Sequence, residues 1–372
     1  MRRIQHSHLP VTALTHPGMR GKNNEDRYGV TAFRMEKAPE RSSALLAVLC
    51  DGIGGHRAGE VAAEIAVNRI SAVVSEEGDT TPPLDVLQKA ISAASRDIYE
   101  QAQGNHHQEG MGATCTCAWI INRRLYLASV GDTRAYLLRS GGIRQLTTDH
   151  TWIREAIDKG LITPDQAEGH PNTHVIRRFL GSAQPPEVDL RLRLDNRESD
   201  EEALANQGMT LLSDDMLLLC SDGLTDLVSD DEIAGALYSQ PAEEAAEYLI
   251  KLANSRGGHD NITLVIIQVP HQASLKRKSP AGWLLVGVLI IAVTGILTSL
   301  WLNGAFEKPD EPILTATPTL HVTLQLPGSL VTPSSSPAFP TSTFPPLPTA
   351  VVTTPPPQPA TITPWPTNTR QP

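Results

Sequence analysis

The sequence predicts an α+β fold of largely antiparallel sheets with helices packed outside, followed by one transmembrane helix and a disordered tail. Three observations predict it. Apolar runs of strand length follow one another in hairpin-like succession rather than in strict β-α-β alternation. Three other stretches carry helical periodicity. Finally, an uncharged run of 22 residues and a proline-rich end are unlike everything before them.

The strand-length runs are residues 44–50, 125–130, 135–138, 216–220 and 262–269. Ser140-Gly141-Gly142 reads as a hairpin turn after the third of them. Helical periodicity covers 60–75, 84–102 and 242–253. The last opens with Pro241 and the pair Glu243-Glu244, which suit a helix N-terminus. No Pro/Gly-rich linker interrupts residues 1–270, so they read as one domain. That domain holds 26 of the 31 Lys+Arg and 38 of the 41 Asp+Glu, a formal net charge of −12. This acidity excludes a general nucleic-acid binder, which needs a basic face for phosphates. Four cysteines in 372 residues exclude a disulfide scaffold. Cys115-x-Cys117 lacks zinc spacing and reads as a pair of buried thiols. Residues 1–10 carry no apolar stretch, so no signal peptide is expected.

Residues 281–302 carry no charge, and about 20 apolar residues suffice for a helix to cross a bilayer. Trp283 and Trp301 fall where the two interface belts would lie, about 27 Å apart along a helix. Lys276, Arg277 and Lys278, in the juxtamembrane segment 271–280, predict a cytoplasmic N-terminal side at the cell membrane. Gly287 and Gly295 lack close-packing spacing, which leaves the oligomeric state open. Residues 303–372 hold 17 of the 29 prolines and 14 threonines. Such a segment is expected to be an extended, disordered, extracytoplasmic tail, either an inert spacer or a semi-rigid stalk.

The chemistry lies in where the carboxylates fall. The run 44–50 leads straight into Asp51-Gly52, and 125–130 into Gly131-Asp132. The run 216–220 leads through Ser221 to Asp222-Gly223. Asp260-Asn261 stands just before the last run, and Glu25-Asp26 follows Asn23-Asn24. A single Asp-Gly is usually a turn. Four apolar runs each flanked by Asp are a different signal, because acids converging on one rim repel unless hard cations neutralise them. Oxygen donors without a His/Cys set select Mg²⁺ or Mn²⁺ over Zn²⁺. Two such ions can support an in-line displacement at phosphorus.

Seven strings carry a resemblance to a known family: NNED at 23–26, DGIGGHRAGE at 51–60, GMGATCTCAW at 110–119, SVGDTRAYLL at 129–138, LTTDHTW at 146–152, LLCSDGLTDLV at 218–228 and GGHDNITLVI at 257–266. In this order they resemble the bacterial metal-dependent Ser/Thr protein phosphatases of type 2C across nearly all of residues 1–270. The resemblance implies a central β-sandwich of two antiparallel sheets flanked by helices. It also implies a binuclear Mn²⁺ or Mg²⁺ site, with a third, looser ion in bacterial relatives. Asp51 would bridge two ions, Glu25 and the Gly52 carbonyl would complete one shell, and Asp222 and Asp260 would hold the other. Asp132 would help bind the third ion, Asp26 would orient water, and Asn261 would support the Asp260 turn. A bridging hydroxide would attack phosphoserine or phosphothreonine without a phosphoenzyme. Residues 150–180 look like the family's flap. Phosphorylated proteins would be the substrates, and a membrane Ser/Thr kinase the opposed partner.

The chain departs from the family at two places. The phosphate-gripping Arg expected four residues before Glu25 is Gly21, leaving Arg20 or Lys22 for that task. Arg20 is preferred for its bidentate geometry. Ile53 stands where many eukaryotic members carry His, and His56 reads as a structural hydrogen-bonding residue or, second, a general acid. Two other classes stay open: a regulatory pseudophosphatase, and a surface protein whose domain merely anchors the stalk.

Overall fold

The computed structural model describes residues 1–21, 23–37, 42–54, 58–167, 169–271 and 293–301. Contacts divide the chain into two units, Met1–Pro280 and Ala281–Pro372. In chain order the strands of the first unit are β1 (Arg2–Ile4), β2 (Val11–His16), β3 (Arg27–Arg34), β4 (Ser43–Cys50), β5 (Gly52–Ile53), β6 (Gly112–Ala113) and β7 (Cys115–Ile121). They continue with β8 (Arg124–Val130), β9 (Arg134–Arg139), β10 (Gly142–Gln145), β11 (Met209–Thr210), β12 (Met216–Cys220) and β13 (Ile262–Gln268). The helices are α1 (Ala58–Glu77), α2 (Pro83–Gly104), α3 (Trp152–Asp158), α4 (Pro164–Ala167), α5 (Asp200–Ala205), α6 (Asp222–Thr225), α7 (Asp230–Ser239) and α8 (Ala242–Ser255).

One sheet runs β1-β3-β4-β7-β8-β11 and the other β10-β9-β12-β13-β2, with β5 and β6 forming a small ribbon. The pairings are antiparallel throughout. Strand β4 shows why there are four layers. Side chains alternate faces along a strand, and every residue of 44–50 is buried. Ala44, Leu46, Val48 and Cys50 pack with Ala62, Ile70, Leu87 and Ile91 of α1 and α2. Leu45, Ala47 and Leu49 instead join Leu217, Leu219, Val265 and Ile267 between the sheets. On the far side Leu218, Leu264 and Ile266 pack against Ile233, Leu237 and Leu249 of α7 and α8. A strand buried on both faces reads as a continuous apolar run, which is why these central strands stand out in the sequence.

The β9–β10 hairpin turns at Ser140 (φ 54°) and Gly141 (φ 84°), both left-handed, as a tight hairpin requires. Strands β2 and β3 lacked an apolar run because they are only partly buried. Helix α7 had a legible start: Ser229 accepts the Glu232 amide at 3.4 Å while the Glu232 carboxylate accepts the Ser229 amide at 3.1 Å. All four cysteines are buried and free, and the Cys115 and Cys117 sulfurs lie 3.4 Å apart on one strand face.

Among the described residues no helix is long and apolar enough to cross a membrane. The expected span 281–302 lies mostly outside them, and only 293–301, which is helical, is described. The juxtamembrane segment, apart from His271, and the tail 303–372 also lie outside, as do Lys22 and His56.

Candidate metal centre

Five segments that are distant in sequence meet at one end of the sandwich, and glycine backbones allow the approach. A Cβ on Gly52 would sit 2.2 Å from the Gly59 carbonyl oxygen and 2.8 Å from that of Glu25. A Cβ on Gly59 would sit 2.7 Å from both Glu25 Oε2 and the Gly52 carbonyl oxygen. The Glu25 carboxylate and the Gly52 carbonyl are thereby brought to the same place. Gly223 packs on the Asn261 carbonyl, where a Cβ would come within 2.1 Å, and this sets Asp222 beside Asp260. Neighbouring main chain fills the space of the side chains that Gly52, Gly59 and Gly223 lack.

Hydrogen bonds then fix each turn. Asp51 donates its amide to Thr114 Oγ1 (3.2 Å), and its carbonyl accepts the Thr114 amide (2.8 Å). Asn261 accepts the Glu25 amide at 2.6 Å and donates to the Pro17 and Asn23 carbonyls, each at 3.2 Å. It therefore anchors the loop that carries Glu25, whereas its own amide donates to Asp260 Oδ1 at 2.9 Å. Ser221 donates its hydroxyl to Asp26 Oδ2 at 2.8 Å.

The electrostatics follow from crowding. Burial, then the charges of Asp26, Asp222, Asp132 and Asp260, push the Asp51 carboxyl well above its ordinary range. Burial and Asp132, Asp226, Asp260 and Asp26 do the same to Asp222. Burial lifts Asp26 to about 6 against hydrogen bonds from Thr263 and Ser221, with Asp260 adding to the rise. Burial and Asp149 lift Asp132 to about 6, with Arg134 opposing. Asp26 Oδ1, Asp132 Oδ1 and Asp222 Oδ1 are buried without a hydrogen-bond partner. Orphaned carboxylate oxygens in a mutually repelling, all-oxygen set suit hard divalent cations.

The structure thus gathers Glu25, Asp26, Asp51, Gly52, Asp132, Asp222 and Asp260. Arg20 Nη2 lies 3.1 Å from His259 Nδ1, beside Asp260 at the rim. Sequence reasoning missed Asp226 and His174. Their nearest atoms are 3.4 Å apart, and together with Asp222 they offer three donor atoms within 4.8 Å of one another. Asp226 had a signal, its four-residue spacing from Asp222 through one helical turn. His174 comes from the 150–180 segment and had none. The charges of α3 form an exposed face, with Arg154–Asp158 at 3.1 Å and Lys159–Glu155 at 3.7 Å.

The family model described as Protein phosphatase 2C matches residues 19–156. The serine/threonine phosphatase stp of Listeria innocua is 34% identical over 250 residues, 66% of this chain and 90% of that protein. The chain belongs to the protein phosphatase 2C family. Serine/threonine protein phosphatase PstP of Mycobacterium tuberculosis is 38% identical to this phosphatase 2C chain over 231 residues, 61% of the chain. The match spans 41% of PstP's own length. A crystal structure of the PstP catalytic domain in complex with two manganese ions superposes with a TM-score of 0.54. It shares 33% identity and covers 70% of this phosphatase 2C chain and 98% of that one.

Proposed function

We propose that the chain is a metal-dependent protein phosphatase acting on phosphoserine and phosphothreonine in proteins. The observation that carries the reading is the set of buried, mutually repelling carboxylates with three orphaned oxygens. Glu25, Asp51 and the Gly52 carbonyl would hold one Mn²⁺ or Mg²⁺, and Asp51, Asp222 and Asp260 a second. Asp132 would hold a third. Bound there, the ions supply a nucleophile at neutral pH and neutralise charge on the phosphoryl oxygens. Asp26, buried and with Oδ1 free of hydrogen bonds, accepts or holds a proton at that atom. Arg20 grips the substrate phosphate, because a guanidinium at the rim matches two phosphoryl oxygens. The test is hydrolysis of a phosphothreonine peptide by the chain with Mn²⁺, compared with Asp51→Ala and Asp222→Asn. Activity without metal, or activity that survives both substitutions, overturns it.

The uncharged run 281–302 behind Lys276, Arg277 and Lys278 supports a membrane anchor with the phosphatase domain inside. Such a tether suits a partner Ser/Thr kinase in the same membrane. Release of the full chain by carbonate washing would refute the anchor. Gly21, in place of the family's Arg, favours a second reading as a regulatory module that binds phosphoproteins without hydrolysing them. That reading predicts phosphopeptide binding with no Mn²⁺-dependent turnover.

A further inference from the structure

His150 is buried behind the Gly131–Asp132 turn and makes four hydrogen bonds there. Its amide donates to the Gly131 carbonyl at 2.9 Å, and its Nδ1 lies 3.0 Å from the Gly131 amide. Its Nε2 lies 3.2 Å from Asp189 Oδ2, and its carbonyl accepts the Arg177 amide at 2.7 Å. The Gly131 amide can only donate, so Nδ1 carries no proton and Nε2 carries it toward Asp189. Burial would raise the Asp189 carboxyl, but hydrogen bonds from His150 and Arg191 outweigh it and hold that carboxyl well below the usual range. Asp189 is itself fixed by a two-way main-chain bridge to Ser129, at 2.9 and 3.0 Å.

The turn needs such a clamp. Gly131 has φ +104°, and a Cβ there would meet Thr114 at 2.5 Å. On the other side of Asp132, Thr116 donates its hydroxyl to the Thr133 carbonyl at 2.7 Å. Between these two ties sits the buried Asp132 carboxylate with its orphaned Oδ1.

We propose that His150, held by Asp189 in the tautomer that leaves Nδ1 an acceptor, is a positioning residue that clamps both polar groups of Gly131 and so aims the Asp132 carboxylate into the cation site. Nothing in the motif spacing indicated this link, which joins the turn after β8, the start of the 150–180 segment and Asp189 through one residue. The proposal rests on the metal-centre reading, and its test separates the two.

The test compares His150→Asn, His150→Gln and His150→Ala in the full chain. Asn places an acceptor oxygen where Nδ1 lies but cannot reach Asp189. Gln can reach Asp189 but offers no acceptor to Gly131. Two readouts are taken: deuterium exchange at the Gly131 amide without metal, and Mn²⁺ binding by electron paramagnetic resonance of the free ion. The clamp predicts Gly131 exchange at least about tenfold faster in the Gln and Ala variants, with near wild-type protection in the Asn variant. Mn²⁺ affinity at the weakest site should fall about 10–100-fold in the Gln and Ala variants, the range usual for groups that orient a metal ligand. The Asn variant should restore it, and an Asp132→Asn background should abolish the difference. Unchanged Gly131 exchange in the Gln variant, or an Asn variant as impaired as Ala, overturns the proposal. If wild type binds no Mn²⁺, the metal-centre reading fails and the aiming role fails with it, whatever the exchange data show. If Ala does not fold, the Asn–Gln contrast decides.

Discussion

Asp26→Asn should stabilise the metal-free protein while abolishing its catalytic use. An unfolded aspartate titrates near 3.8, whereas the buried Asp26 carboxyl is lifted to about 6. The folded state therefore favours the protonated form. That contribution is fully present below the unfolded value and is lost as pH rises through about 6. At roughly 1.4 kcal/mol per pH unit, the ionised carboxylate costs the metal-free fold about 3 kcal/mol at about pH 8. Asn keeps the shape, and its amide oxygen, placed where Oδ2 lies, can accept the Ser221 hydroxyl, but it cannot ionise. The substitution should raise Tm by about 6–12 °C at about pH 8 in chelator, and by almost nothing at about pH 4. Excess Mn²⁺ should narrow or reverse the gap, since nearby cations favour the carboxylate. The assay is thermal unfolding of wild type and variant at both pH values, with and without metal. No gain at high pH, or an equal gain at both, would refute a charge-based account of this residue.

Three further outcomes follow from the same geometry. Mn²⁺ at about 100 times its dissociation constant should stabilise the chain by about 2.7 kcal/mol, or about 5–10 °C, and calorimetry against chelator checks this. Gly52→Ala should push its Cβ into the Gly59 carbonyl, 2.2 Å away. It should cost about 1–3 kcal/mol in denaturant titration and weaken Mn²⁺ binding by displacing Glu25. Arg20→Ala should raise the KM for a phosphopeptide about tenfold or more with kcat little changed, as expected for lost uniform binding. An unchanged KM would remove Arg20 as the phosphate grip.

The layers were legible because burial on both faces leaves an unbroken apolar run, as in 44–50, 216–220 and 262–268. Strands β2 and β3 were hidden because their exposed residues break that pattern. The acids were legible individually: Asp51, Asp132 and Asp222 as Asp beside Gly after apolar runs, and Asp260 just before the last one. Asp226 and the Ser229 cap were written in four- and three-residue spacings that went unread.

Sequence alone determined which residue types were available: oxygen donors, flexible turns, an acidic domain and a long uncharged run near the C-terminus. The family resemblance implied that these donors share one site, but only the tertiary structure shows the contacts that bring them together. Their meeting depends on Gly52 against Gly59, Gly223 against Asn261, and His150 against Gly131. These contacts join residues from 7 to 38 positions apart. Local propensity carries no information about partners so placed. The physical reason is that close approach of two main chains is a property of both partners, and a sequence shows each glycine without its neighbour.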